Sequence, residues 1–469
     1  MNDQIIIADA IGRGFDATRR PAASAPEEGC FSDDALAARF TEAHAGTLRY
    51  VSAWGKWLIW DGSVWAFDGT MKVFDLARAI CRQAATETGK PSLTAAIASA
   101  KTVAAVERLA KADRAHAATV DQWDADPWLL NTPGGVVDLR TGKSRPHRPD
   151  DHCTKITTAP PGGECPLWHQ FLARITGDDG ALQDFLMRAA GYTLTGSTRE
   201  HALFFGHGTG GNGKGVYLNT LTAIMGGYAA VAPMETFVAS SSDRHPTELA
   251  ALRGARLVTA QETEEGRAWA EAKIKALTGG DPITARFMRQ DFFTFTPQFK
   301  LFAAGNHKPG LRGVDEAIKR RLHLIPFAVS IPAAERDPEL MEKLKAEWPG
   351  ILAWAVEGCL HWQRMRLSPP PAVTDATGEY LEAEDAMALW LEERCKRVGY
   401  GITETGALFR DWRKWAAAAG EDPGSQKRFS QALEARGFER CRVHGGRYAV
   451  KGLVFAVDPP RTEPEHERD

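Results

Sequence analysis

The chain has 469 residues, 43% of them hydrophobic, with a formal net charge of −3, material for roughly two to four domains with buried cores. No run of eighteen apolar residues occurs, and the opening MNDQIIIADAIGRGF has neither a basic leader nor a small-residue cleavage site, so neither membrane insertion nor secretion is signalled and a cytoplasmic location is expected. Seven cysteines (Cys30, Cys81, Cys153, Cys165, Cys359, Cys395, Cys441) form no CxxC pair, which excludes a disulfide scaffold or zinc ribbon and predicts reduced, mostly buried thiols.

In chain order, residues 1–32 are small, polar and Pro-rich and predict a disordered arm. A mixed α/β domain is expected over 33–165. Leu36 and Phe40 share a helix face, and WGKWLIWDGSVWAF alternates around Asp61-Gly62, a pair that closes a hairpin. The four tryptophans between 54 and 65 are expected in the core, as alternating aromatics beside a tight turn usually are. TTAPPGGECP at 157–166 predicts a domain boundary, and 166–200 a helical collar. From 201 to 332 short apolar strands alternate with helices, the pattern of a parallel sheet covered on both faces. A helical segment over 333–389, a compact unit over 390–457 and a flexible tail over 458–469 complete the expected organisation.

The stretch GHGTGGNGKGVYLNTL, between the strand ALFF and a helix to Met225, has a phosphate loop's spacing: Gly208, four residues, Gly213, Lys214. Its glycines let successive N–H groups turn inward at a helix N-terminus, while Lys214 reaches the outer phosphates. Gly208, Thr209, Gly210, Gly211, Asn212, Gly213, Lys214, Gly215 and Val216 are therefore the expected contacts of ATP. Gly215 stands where a serine or threonine usually ligates magnesium. The ion would then rely on phosphate oxygens, waters and an acid from elsewhere, which suits Mg2+ because it keeps several waters.

That acid is expected in RLVTAQETEEG, with Glu262 at the end of an apolar strand as the residue for metal and water, and Glu264 as second candidate. PITARFMRQDFFTFTP reads as a hairpin turning at 288–291 with Arg289 at its tip, and KLFAAGN as a buried strand ending in Asn306, an amide suited to orienting the lytic water. In DEAIKRRLHLIPF, Arg320 or Arg321 could reach a neighbouring subunit's nucleotide. Residues 391–457 hold thirteen Lys/Arg against eight Asp/Glu. There, helices at 404–420 and from Ser425, then a basic hairpin, make a winged-helix pattern with Lys427, Arg428, Arg442 and Arg447 as phosphate contacts.

Taken together, WGKWLIWDG, NTPGGVVDL, GNGKGVYLNTL, QETEEG, KALTGGDPITARFM, AAGNHKP and KRRLHLIPF resemble, in this order, the helicase part of the phage and plasmid primase-helicase family within superfamily three. The similarity runs over about residues 35–455. It implies an AAA+-like P-loop ATPase core, a homo-hexameric ring with ATP between subunits, and a hairpin that grips single-stranded DNA in a channel. Lys275, Arg286 and Arg289 are the channel candidates by position. The expectation is a replicative helicase acting on single-stranded and forked DNA in a bacterial host. An ATP-gated initiator or helicase loader is the first alternative, and a P-loop kinase of small molecules the second. Family members often carry a primase, which needs paired metal-binding aspartates; Asp124 and Asp126 sit in a turn-like context, so a separate primase or initiator partner is expected.

Overall fold

A computed structural model describes residues 31–88, 90–239, 247–261, 267–289, 291–311, 314–443 and 446–456. The chain divides into two compact units, one of Met1–Ala125 with Arg148–Thr154 and one of Asp126–His147 with Lys155–Asp469.

In the first unit, helix α1 (Asp33–His44) starts where the Ser32 hydroxyl accepts a hydrogen bond from the Ala35 N–H at 3.2 Å. Strands β1 (Leu48–Val51), β2 (Lys56–Trp60) and β3 (Trp65–Phe67) follow, then α2 (Lys72–Glu87), α3 (Pro91–Ile97), α4 (Ala100–Ala110) and the short β4 (Ala117–Ala118). The sheet order is β3-β2-β1-β4, antiparallel except for the last pair. Leu36, Phe40, Trp57, Val73, Ala77 and Val106 join in one core between helices and sheet. Trp65 and Trp123 make a second cluster with Trp54 and Trp60 packed against it. The tryptophans thus find ring partners within the protein, as their alternation predicts.

The second unit opens with an antiparallel sheet of β5 (Leu129–Thr132), β6 (Gly135–Asp138) and β7 (Lys143–Arg145). The boundary expected at 157–166 therefore falls inside this unit. A distant arginine is one of the ties: buried Arg256 donates to the carbonyls of Leu129 at 2.9 Å and Leu194 at 2.8 Å, and its guanidinium stacks on Tyr228. Helices α5 (Pro166–Thr176) and α6 (Gly180–Leu194) come next.

The central sheet is built from β8 (Leu203–His207), β9 (Ala229–Val231), β10 (Leu257–Gln261), β13 (Lys300–Gly305) and β14 (Leu322–Pro326), in the order β14-β8-β13-β10-β9 with every pair parallel. Between them run α7 (Lys214–Met225), the short α8 (Thr247–Ala250), α9 (Glu271–Gly279), a two-stranded hairpin of β11 (Ile283–Ala285) and β12 (Phe293–Phe295), and α10 (Glu316–Lys319). Strands buried along their length, such as β8 and β13, are what a sheet covered on both faces requires. Beyond β14 lie α11 (Leu340–Lys345), α12 (Trp348–Met365) and α13 (Pro371–Ala383). Helices α6 and α12 touch backbone to backbone: a Cβ on Gly191 would lie 2.0 Å from the Cys359 nitrogen, and one on Gly358 would lie 2.1 Å from the Met187 oxygen.

The C-terminal part holds α14 (Ala386–Arg394), β15 (Cys395–Glu404), α15 (Thr405–Ala419), α16 (Gln426–Ala435), β16 (Arg440–Arg442) and β17 (Tyr448–Phe455), with sheet order β15-β17-β16. Ser425 caps α16 as its sequence predicts, and Leu408, Trp412, Phe429 and Leu433 are buried together. Strand β15 is an addition that the sequence reading did not contain; its glycine-interrupted, mostly exposed run masks its pairing.

Candidate functional site

Strand β8 lies inside the sheet, and its chain passes from buried Gly206 through the glycine loop into α7. Gly213 caps α7 at φ 82°, a left-handed conformation that glycine adopts without strain. The first N–H groups of α7 have no carbonyl within the helix to bond, so this end favours an anion. Lys214 Nζ donates to the Gly208 carbonyl at 2.8 Å and to Asn306 Oδ1 at 2.7 Å. Burial lowers the pKa of this ammonium from its ordinary value. Asn212, itself buried, donates from Nδ2 to the Phe327 carbonyl at 3.0 Å and fixes the loop to the chain leaving β14. Thr209, Gly210 and Gly211 are exposed, while Gly215 and Val216 are half-buried on the first turn of the helix.

Glu262, with Glu264 and Glu265, lies outside the described residues. Strand β10 ends at Gln261, whose Nε2 donates to Asn219 Oδ1 at 2.7 Å. Among the described residues, a Cβ built on Gly215 would meet Gln261 Oε1, at 4.0 Å. Among the described residues no group of three His, Cys, Asp or Glu side chains could hold a metal. The oxygen of Gln261 beside Gly215 fits a cation that takes most of its ligands from phosphates and water.

The two arginines part company. Arg321 is buried, donating from Nε to Thr278 Oγ1 at 3.2 Å and from a terminal nitrogen to the Ala317 carbonyl at 2.7 Å. Its guanidinium is engaged within the subunit. Arg320 is exposed. Of the channel candidates, Lys275 pairs with Asp315, Arg286 lies over the Phe292 ring at 4.7 Å, and Arg289 is exposed at the hairpin tip with φ 60°. Exposed Phe287, Met288 and Phe292 surround it. At the C-terminal sheet, Arg442 donates to the Tyr448 hydroxyl at 2.9 Å, Arg447 pairs with Glu404 at 2.7 Å, and Lys427 and Arg428 are exposed on α16.

The structure also assembles groups the sequence reading passed over. His207, the last residue of β8, has its pKa lowered by burial and by the neighbouring charges of Lys308 and Lys214. Arg336 lies against Gly211. Position was the available signal for His207 and Lys308, one ending a strand and the other two residues past Asn306; nothing in the spacing of Arg336 pointed to the loop. Asp124 and Asp126 are taken up locally, the first accepting from the Thr154 N–H at 2.8 Å and the second pairing with Arg140 at 3.0 Å.

Residues 37–177 match the D5 N terminal like family, and residues 206–321 match a family of unknown function, DUF5906. The chain is 26% identical over 272 residues to the Frog virus 3 (isolate Goorha) protein named "Putative helicase 022R", covering 53% of this chain and 27% of that protein. It is 26% identical over 323 residues to "Putative helicase L207/L206" of Acanthamoeba polyphaga mimivirus, covering 62% and 33%. The chain thus spans about a quarter to a third of the length of these relatives. Its fold is similar to the apo structure of the NrS-1 C terminal region, with a TM-score of 0.51 at 10% identity over 90% of this chain and 99% of that one. A D5 N terminal like segment ahead of a DUF5906 segment, together with relatives that bear the name putative helicase, gives the chain features of the phage-type primase-helicases.

Proposed function

We propose that the chain is the ATP-driven motor of a replicative DNA helicase of a phage, plasmid or integrated element, working as a hexameric ring on single-stranded DNA. The observation that carries this reading is the pair of hydrogen bonds from Lys214 Nζ to the Gly208 carbonyl and Asn306 Oδ1, past the C-terminal ends of the inner parallel strands β8 and β13 and beside the N-terminus of α7. An AAA+-like core is supported by the strand order, in which β13, leading to Asn306, lies between β8, leading to the loop, and β10, leading to the acidic motif. In this reading the loop and Lys214 bind the polyphosphate, and Asn306 orients water beside the terminal phosphate. Magnesium bound with the nucleotide would neutralise phosphate charge; Gln261, beside Gly215, and Glu262, the acid that follows it in the sequence, would hold its water shell.

Arg320 would act on the neighbouring subunit's nucleotide, and the tip of the β11–β12 hairpin, with Arg286, Arg289 and Phe292, would hold the strand. Lys275 has its own carboxylate partner and would contribute only if that pair opened. The C-terminal unit supports a winged helix through its helix, helix, hairpin core. One observation favours a second role for it: Arg394, Arg436, Arg447 and Lys451 each pair with an acid, so these four cations are engaged within the protein, and protein docking, to a separate primase or initiator, becomes a fitting use. No helix among the described residues is long and apolar enough to cross a membrane.

The test is DNA-stimulated ATP hydrolysis and fork unwinding by the purified chain beside Lys214→Ala. The motor reading expects both activities in the parent and neither in the variant. Hydrolysis without unwinding would replace it with the ATP-gated initiator or loader.

A further inference from the structure

We propose that Arg336 is a nucleotide contact supplied by the same subunit as the loop, its guanidinium resting on Gly211 and bonding the polyphosphate; the inference rests on the ATP reading above. A Cβ built on Gly211 would fall 2.1 Å from one terminal nitrogen of Arg336 and 2.5 Å from its Cζ, so the guanidinium lies directly against the glycine backbone. Gly211 is held to glycine by its φ of 72°, and a side chain there would displace the guanidinium.

The placement is fixed by a chain of bonds rather than by a free side chain. The Ile331 N–H donates to the Gly211 carbonyl at 2.9 Å, which docks the segment after β14 on the loop. Arg336 Nε then donates to the Ile331 carbonyl at 2.8 Å and orients the planar group. Next door, Glu335 is bound to Arg174 of α5, which anchors the turn. The acids on either side of Arg336 are engaged elsewhere, Glu335 with Arg174 and Asp337 with Lys343. Among the described residues no carboxylate pairs with Arg336, and it is exposed. Its two terminal nitrogens are thus presented at the rim of the loop, where a planar fork of donors matches phosphate oxygens. The proposed site then has two guanidinium groups of different origin, Arg336 from the loop's own subunit and Arg320 from its neighbour.

Binding of a fluorescent ATP analogue to the full chain tests this, with Arg336→Ala, Arg336→Lys and the parent compared and the melting midpoint of each recorded. Loss of a charge-assisted bond predicts an affinity lower by about 10- to 100-fold for Arg336→Ala, an intermediate value for Arg336→Lys, partial recovery with millimolar guanidinium ion, and an unchanged melting midpoint. Equal affinity in the parent and Arg336→Ala overturns the proposal while leaving ATP binding intact. So does a loss shared by the lysine variant, accompanied by a lower midpoint and indifferent to guanidinium, since that marks a structural tie. A parent that binds no nucleotide removes the ATP reading itself, and this inference with it.

Discussion

A lysine at the rim of a sheet is useful to a phosphate only if its own environment leaves it short of charge compensation. Lys214 meets that condition, because its partners are a carbonyl and an amide oxygen, neither of which carries charge. Gly215, one residue on, is the departure from the usual loop, and the space around it decides what the departure means. Among the described residues, Gln261 Oε1 at 4.0 Å is the nearest atom to a built Cβ, which is ordinary contact for a serine. Gly215→Ser is expected to retain ATP hydrolysis and to reach half its maximal rate at the same or a lower magnesium concentration. A magnesium titration of the two proteins checks this, and loss of activity would show that glycine serves the backbone here. A second residue carries a pH dependence. His323 is packed between the rings of Phe204 at 5.5 Å and Phe185 at 5.8 Å, and burial pushes its pKa down from 6.5 to about 4. The unfolded chain therefore takes up the proton first as pH falls. Its contribution is complete above pH 6.5 and drains away toward pH 4, amounting to at most about 3 kcal/mol by the size of that shift. Chemical denaturation across this range should show the parent losing stability and His323→Gln losing less of it.

Elements decide which of these side chains can act together. The β11–β12 hairpin pairs only three residues a side, from Ile283↔Phe295 to Ala285↔Phe293, so its stability depends on rings more than on its ladder. Phe287 stacks on Phe293, and the Arg253 guanidinium lies over the Phe293 ring at 5.0 Å. That bracing leaves Arg289 at a supported tip with exposed apolar neighbours, a combination suited to backbone phosphate and unstacked bases. Arg289→Ala is expected to lower the stimulation of ATP hydrolysis by single-stranded DNA several-fold while leaving the DNA-free rate unchanged; equal loss of both rates would assign Arg289 a structural part. Glycine spacing and strand alternation made the loop, the hairpin and the Asn306 strand readable from sequence, because each is a local pattern with one geometric solution. The fate of Arg320 and Arg321 was not readable. Which of two adjacent arginines turns inward depends on Thr278, at the far end of α9. Nor was the attachment of β5–β7, one tie of which is Arg256, more than a hundred residues further along the chain. Gly191 and Gly358 likewise reveal their purpose only when α6 and α12 are seen in contact.

At the scale of the whole molecule, the two proposed arginines make opposite demands on assembly. Arg336 lies against its own loop, so its part in binding would persist in a single subunit, whereas Arg320 has no part to play until a second copy arrives. The ring reading therefore predicts a recovery that no single-chain enzyme can show. Lys214→Ala lacks the phosphate lysine but keeps Arg320, and Arg320→Ala lacks the guanidinium but keeps Lys214. Each alone should hydrolyse ATP at a small fraction of the parent rate. When the two are mixed in equal amounts and allowed to assemble with ATP and single-stranded DNA, about a quarter of the interfaces would pair an intact lysine with an intact arginine, since each partner is drawn at random. Hydrolysis should rise above the sum of the separate proteins in proportion to those interfaces. The same mixture below the concentration at which subunits associate should show no rise. If mixing never restores activity, although light scattering shows that mixed assemblies form, the arginine acts within its own subunit or not at all. The proposed motor would then have no means of passing a stroke from one protomer to the next.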